Sequence, residues 1–311
     1  MRHAWLRCVK NASLISALLF TALLGFVFRP AFSEQQQPFK PGLHLRLSSG
    51  RSQMKIGDMN DHLNSLNAYY HLIGPLTTGQ VDPLGTEKAG FQGELILDIS
   101  RRFSFGLATS FIPSNRRESF ITGPSLGDWT TTLDRTYRPE LEVWAPIKAS
   151  VYFYHYSSPV LRVALYSGLT VFTPKMKEEQ IFCYRYANGD IYYDNRYWET
   201  DRQALAGWHL GAQLEFGLFK NLSLIASVEG CLAKDSSLSG SYKISQGSTP
   251  TVVDSGTGDL YFYGSPNYYY YDLMIGLPIV AEDDGGYAVT RKASLDLSGF
   301  SFQVGFKVRL F

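Results

Sequence analysis

Apolar and polar residues alternate with a period of two along eight stretches of this chain, the signature of extended strands. The stretches run Leu43 to Met54, Gly90 to Ser100, Phe103 to Ile112, Leu141 to Tyr156, Val160 to Phe172, Ala204 to Phe219, Leu222 to Leu232 and Gly299 to Phe311. Each has at least the roughly 9 to 11 residues that a tilted strand needs to cross a bilayer. One face of each is apolar, as in Leu43, Leu45 and Leu47, or Phe103, Phe105 and Leu107. The opposite face carries Arg46, Glu94, Asp98, Lys148, Arg162, Glu215, Glu229, Lys307 and Arg309, with His44, His209, Gln213 and Gln303 among them. An even number of strands suits closure, which removes sheet edges whose unpaired backbone groups are costly in hydrocarbon.

The connections are unequal. Tight turns at Arg101-Arg102, Ser158-Pro159 and Lys220-Asn221 alternate with long, polar, tyrosine-rich loops. Outer-membrane barrels are punctuated in this way, with turns toward the periplasm and loops outward. The expected fold is all-β: a closed eight-stranded antiparallel transmembrane β-barrel with short periplasmic turns and long extracellular loops. Phe103, Tyr154, Tyr156, Phe219 and Phe311 are expected in the inner aromatic girdle, and Trp144 and Trp208 in the outer one. Alternation alone also fits a soluble lipocalin-like barrel, which turns its apolar face inward.

The turn asymmetry, the interfacial aromatics, the terminal Phe311 and an export leader together favour the membrane form over a soluble exported β-protein. Arg2, Arg7 and Lys10 precede the apolar run Ala12 to Phe28, and Ala31 and Ser33 follow it. This reads as a secretory signal peptide, residues 1–33, with an uncleaved anchor as the alternative. Residues 34–42 then form a short periplasmic lead-in, and residues 43–311 the barrel domain. Losing Arg2, Arg7, Lys10 and Arg29 takes 29 basic residues to 25, against 28 acidic. A mildly acidic chain argues against a nucleic-acid partner. Cys183 and Cys231 remain, and an exported chain permits a bridge between them.

The layout resembles the small outer-membrane β-barrel family, the OmpA, OmpX and OmpW-like domains, most closely in the hairpin Gly207 to Leu224. The terminal Phe311 resembles the sorting signal read by the outer-membrane assembly machinery, although it falls in phase with Arg309 and Lys307. The resemblance implies a bacterial outer-membrane location, contact with outer-membrane lipid and the assembly machinery, and no enzymatic activity. No cofactor or metal is expected. Asp58, Asn60 and Asp61 lack the Gly and distant Glu of a calcium loop.

An eight-stranded barrel is just wide enough to be filled by its own side chains, so the near balance of interior charge points to a paired plug. In the first loop Met59, Leu63, Leu66, Tyr70 and Ile73 recur at helical spacing behind Asp58, which predicts a short capped helix over the mouth. Asn188-Gly189 predicts a hairpin turn extending beyond the membrane. Tyr184, Tyr186, Tyr192 and Tyr193 in the third loop, and Tyr261, Tyr263 and Tyr269 in the fourth, are candidates for binding an extracellular ligand. The expected function is therefore non-enzymatic, structural or surface-binding. A narrow passive channel for a small solute is the alternative. Third comes a lipid A-modifying enzyme, which would need His209, Glu229 and Ser227 to meet.

Overall fold

The computed structural model describes residues 39–72, 77–125, 128–158, 160–265, 270–276 and 288–311. The expected leader lies outside the described residues. Eight strands form a closed antiparallel ring: β1 (Gly42–Met54), β2 (Glu87–Asp98), β3 (Phe103–Phe111), β4 (Asp128–Ser157), β5 (Leu161–Arg185), β6 (Leu205–Phe219), β7 (Leu222–Leu232) and β8 (Gly299–Arg309). Each pairs with the next in the chain, and β8 returns to β1 with His44 opposite Arg309 and Leu47 opposite Phe306. One end of the ring is closed by the turns after Asp98, Ser157 and Phe219. Ser158 tightens the second of them, its Oγ accepting from the Leu161 amide at 3.0 Å.

The distribution of side chains is the reverse of a soluble protein's. Outside the ring Leu47, Phe91, Trp144 and Phe300 are 59, 67, 67 and 71% exposed, while inside it Arg46 and Lys307 are 1 and 2% exposed. An apolar outer belt around a charged filling is a transmembrane barrel. Tyr154, expected in the inner girdle, points into the lumen instead and is 2% exposed. It shares parity with Lys148 and Tyr152, and the register shifts only after it, between Tyr154 and Tyr156.

Two strands are much longer than expected. β4 spans 30 residues and β5 spans 25, so each continues well past the membrane as a paired ribbon. Further antiparallel strands at Ile191–Thr200, Ser239–Gly247, Thr251–Ser265 and Tyr270–Gly276 extend this sheet beyond the ring. Where β4 leaves the membrane, the ladder slips between Trp144 and Ile147 and Ala145 adopts φ 26°.

The helix α1 (Asp58–Leu72) packs into these ribbons. Its Met59, Leu63, Leu66 and Tyr70 are buried in one apolar cluster with Tyr137, Leu141, Phe172, Trp198, Leu260 and Leu297. Burial of such side chains is worth about 1.5–3 kcal/mol each. The long-loop end thus carries a water-soluble core of its own, standing on the barrel. Asp58 does not cap its own helix as expected. The first turn bonds instead to the carbonyl of Gly57, whose φ of 71° suits a residue without Cβ. The Asp58 carboxylate is turned toward the fourth loop, where it accepts from the Ser294 amide at 2.6 Å and from the guanidinium of Arg291.

Candidate functional site

Inward-facing parity on eight strands brings charges from distant parts of the chain into a lumen that side chains can fill. Arg46 sits at its centre. Its Nη1 donates to Gln213 Oε1 at 2.9 Å and to Glu94 Oε2 at 3.2 Å, and its Nη2 donates to Ser227 Oγ at 2.7 Å and Gln303 Oε1 at 3.1 Å. Tyr152 stacks on Tyr166 and donates to the other Glu94 oxygen at 2.7 Å. These contacts span β1, β2, β4, β6, β7 and β8, so the guanidinium ties together most of the wall.

The remaining interior charges also meet partners. Lys148 donates to Glu229, and Lys307 donates to Glu215 at 3.0 Å and to the Tyr154 hydroxyl at 3.3 Å. Arg162 lies 3.8 Å from Glu215 with its guanidinium over the Tyr154 ring, and His44 contacts Asp98 at 2.9 Å. Arg309 is the exception. It is exposed at the short-turn rim, because β8 ends there and leaves it beyond the filled lumen, with Nε 3.4 Å from the Phe311 carbonyl. Beside the Lys148–Glu229 pair lies a cavity of about 70 Å³, bordered also by Cys231, Ser301, Phe172 and Leu297 and reaching through the wall to the outward-facing Phe91 and Phe300.

The three groups a lipid A-modifying centre would need do not assemble. His209 is fully buried, with Ser150 Oγ 2.9 Å from Nε2 and Thr170 Oγ1 2.8 Å from Nδ1. Ser227 is held by Arg46, and Glu229 by Lys148. Cys183 and Cys231 carry free thiols, so the bridge allowed by the sequence is not formed.

The tyrosine candidates separate by loop. Asn188 and Gly189 make the tight turn between β5 and Ile191–Thr200, with Gly189 at φ 90°. Asn188 bonds across it to Asp190 at 2.7 Å. Tyr186 and Tyr192 line an open groove of about 650 Å³ with Asn188, Asp190, Ile191 and the turn at Gly247 and Ser248. Tyr184 packs edge-on against Tyr192, ring centres 6.1 Å apart, and buttresses that groove from below. Tyr193 stands opposite Cys183 and Gly247 in the sheet. In the fourth loop Tyr263 is 1% exposed and packs beside the half-buried Tyr261, so this pair belongs to a packed interior rather than to a surface. Tyr269 lies outside the described residues.

Sequence patterns missed a buried polar cluster beneath α1. His62 contacts Glu178 Oε1 at 3.2 Å and Asp272 at 3.7 Å, and Trp198 Nε1 donates to the second Glu178 oxygen at 3.1 Å. Beside it Tyr70 and Tyr137 share a 2.6 Å hydroxyl bond, with the Arg135 guanidinium over the Tyr70 ring. Burial, together with that neighbouring phenol, pushes the Tyr137 hydroxyl well above its ordinary range. Glu178 lies in the charge-dense run Lys175 to Glu179, which reads as a solvated face.

No protein-family model matches the chain, and no curated protein sequence matches it. Among solved structures, the attachment invasion locus protein Ail of Yersinia pestis is 10% identical, over 86% of this chain and 98% of its own, with a TM-score of 0.30. The outer membrane protease OmpT of Escherichia coli is 9% identical, over 91% of this chain and 100% of its own, with a TM-score of 0.32. At such scores neither structure lends this chain an activity or a partner.

Proposed function

We propose that this chain is a non-enzymatic protein of the bacterial outer membrane, a charge-plugged barrel that carries a rigid surface-binding structure outward. The carrying observation is the pairing of the lumen charges within the membrane ring, from Arg46 with Glu94 and Lys148 with Glu229 to Lys307 with Glu215. Short turns on one side and a tall ribbon assembly on the other fit periplasmic and extracellular ends respectively. The groove at Tyr186 and Tyr192 is the surface best suited to a ligand, since tyrosine offers contact area at low entropic cost. Planar bilayer recordings of the refolded chain test the plug: silence is expected, and discrete reproducible openings would sink it. Tyr186→Ala with Tyr192→Ala, assayed for adhesion of expressing cells to saccharide- and host-matrix-coated surfaces, tests the groove.

A second reading, a narrow solute pathway, has the cavity beside Lys148 and Glu229 in its favour. It requires the Arg46 contacts to open, and would appear as conductance gained on Arg46→Ala and raised further by removing residues 58–72.

A further inference from the structure

A recurring unit in this fold is a basic side chain laid on an aromatic ring and held there by a carboxylate. The Arg202 guanidinium lies 5.9 Å from the centre of the Trp144 ring and bonds to Glu142 at 2.8 Å. Arg196 lies 5.3 Å over the Phe182 ring and bonds to Asp194 at 2.9 Å. Arg291 lies 4.8 Å over the Phe262 ring and grips Asp58. The face of an aromatic ring is negative, as is the carboxylate, so each cation meets two attractive partners at once.

In the groove between the turns at residues 186–190 and 247–250 the rings and the carboxylate are present without the cation. Tyr186 and Tyr192 line it together with Asp190, and no described cation lies over either ring. The Asp190 carboxylate accepts from Asn188 Nδ2 at 2.7 Å and forms no ion pair with a described residue. The two cations nearest in the chain are engaged elsewhere, Arg185 with Asp134 at 3.0 Å and Arg196 with Asp194. β5 leaves the membrane at Thr173, opposite Trp144, and its run from there to Arg185 covers about 40 Å at about 3.3 Å per residue. The groove is therefore out of reach of the head groups of the bilayer and meets what lies beyond the envelope.

We propose that the groove receives a lysine or arginine side chain of an extracellular polypeptide, whose charge meets Asp190 and whose stem lies on Tyr186 and Tyr192. The incoming residue completes from outside the unit that the fold builds from its own residues elsewhere. This assignment rests on the reading of the groove as the ligand surface, and names what that ligand carries. A groove of about 650 Å³ has room for several residues around one basic side chain. Val252 and Val253, 52 and 56% exposed just past the second turn, offer apolar contact to the residues that flank it. A neutral saccharide would also stack on the tyrosines, but it would take the Asp190 carboxylate out of water without supplying a counter-charge. A basic side chain supplies one.

The test refolds the full chain into phosphatidylcholine vesicles and titrates it calorimetrically with short capped glycine-serine peptides that carry one central Lys, Arg, Gln or Glu, and with lactose. The Lys and Arg peptides are expected to bind at least about fivefold more tightly than the Gln peptide, with the Glu peptide weakest. Asp190→Asn is expected to remove most of that preference, and Glu87→Gln, which neutralises an exposed acid on β2, to keep it. Equal affinity of the natural chain for the Lys and Gln peptides would overturn the proposal, as would lactose binding more tightly than any peptide. These comparisons need no variant to fold. If the Lys and Gln peptides bind equally and both are lost in Tyr186→Ala/Tyr192→Ala, the groove stands as a ligand surface and only the basic side chain falls. Absence of binding by every probe removes the groove reading itself, so the two failures are distinct.

Discussion

Arg46 shows how one side chain can decide whether a barrel is solid. Its guanidinium is almost fully removed from solvent and meets five polar groups. Arg46→Ala leaves the Glu94 carboxylate buried without its counter-charge, and is expected to cost about 3–5 kcal/mol in denaturant unfolding from micelles. Glu94→Gln in the same background is expected to recover part of that loss, because an amide needs hydrogen bonds but no ion. A pH effect belongs to the exposed ribbons. The bond from Lys177 holds the Glu142 carboxyl below its ordinary 4.5, and Lys175 does the same for Glu199 against the opposing effect of its partial burial. Both folded values are depressed, so their contribution is present above 4.5 and is lost as pH falls through the lower folded values. Protease resistance of Lys175–Glu199 is expected to decline in that window and not between pH 5 and 8. Parity alone made Arg46, Glu94, Lys148 and Glu215 legible as inward residues. It could not place Arg309, whose surroundings depend on where the lumen stops being filled.

Among the elements, α1 was legible from the spacing of Met59, Leu63, Leu66 and Tyr70, and its burial follows that spacing. The outer halves of β4 and β5 were not. Between Thr173 and Arg185 the inward side holds Met176, Glu178 and Gln180 while the outward side holds Lys175, Lys177 and Glu179, so charge appears on both faces and the contrast that marks a strand disappears. What makes it a strand is tertiary: outward charges pair across the ribbon, and the buried Glu178 meets the His62 ring at 3.2 Å, more than a hundred residues away in the chain. The clamp from Asp58 to Arg291 and Ser294 was equally invisible, since it joins the first loop to the fourth. Asp58→Ala is expected to raise amide exchange across residues 58–66 and around Ser294 by at least about tenfold, while leaving the lumen-facing amides of β1 protected. Equal deprotection of β1 would show that helix and barrel are one cooperative unit.

At the scale of the whole molecule two cores of opposite chemistry are stacked, a charged one inside the membrane ring and an apolar one among the ribbons. External protease on vesicles is expected to remove the ribbons beyond Trp144 and Val171 only under denaturant, and to leave eight membrane-protected strands whatever its concentration. The junction of β1 with β8 is where the first and last strands of the ring meet, and above it the first and fourth loops are joined. The Lys55 amide bonds to the Ser298 carbonyl at 2.9 Å, the Asp58 amide bonds to that of Ser294 at 3.2 Å, and the Asp58 carboxylate grips Arg291. Every other pair in the ring joins strands adjacent in the chain, whereas this one must wait for the last strand of the ring to arrive. The clasp therefore cannot fasten until β8 has taken its place in the ring, and once fastened it resists the one separation that would unroll the cylinder.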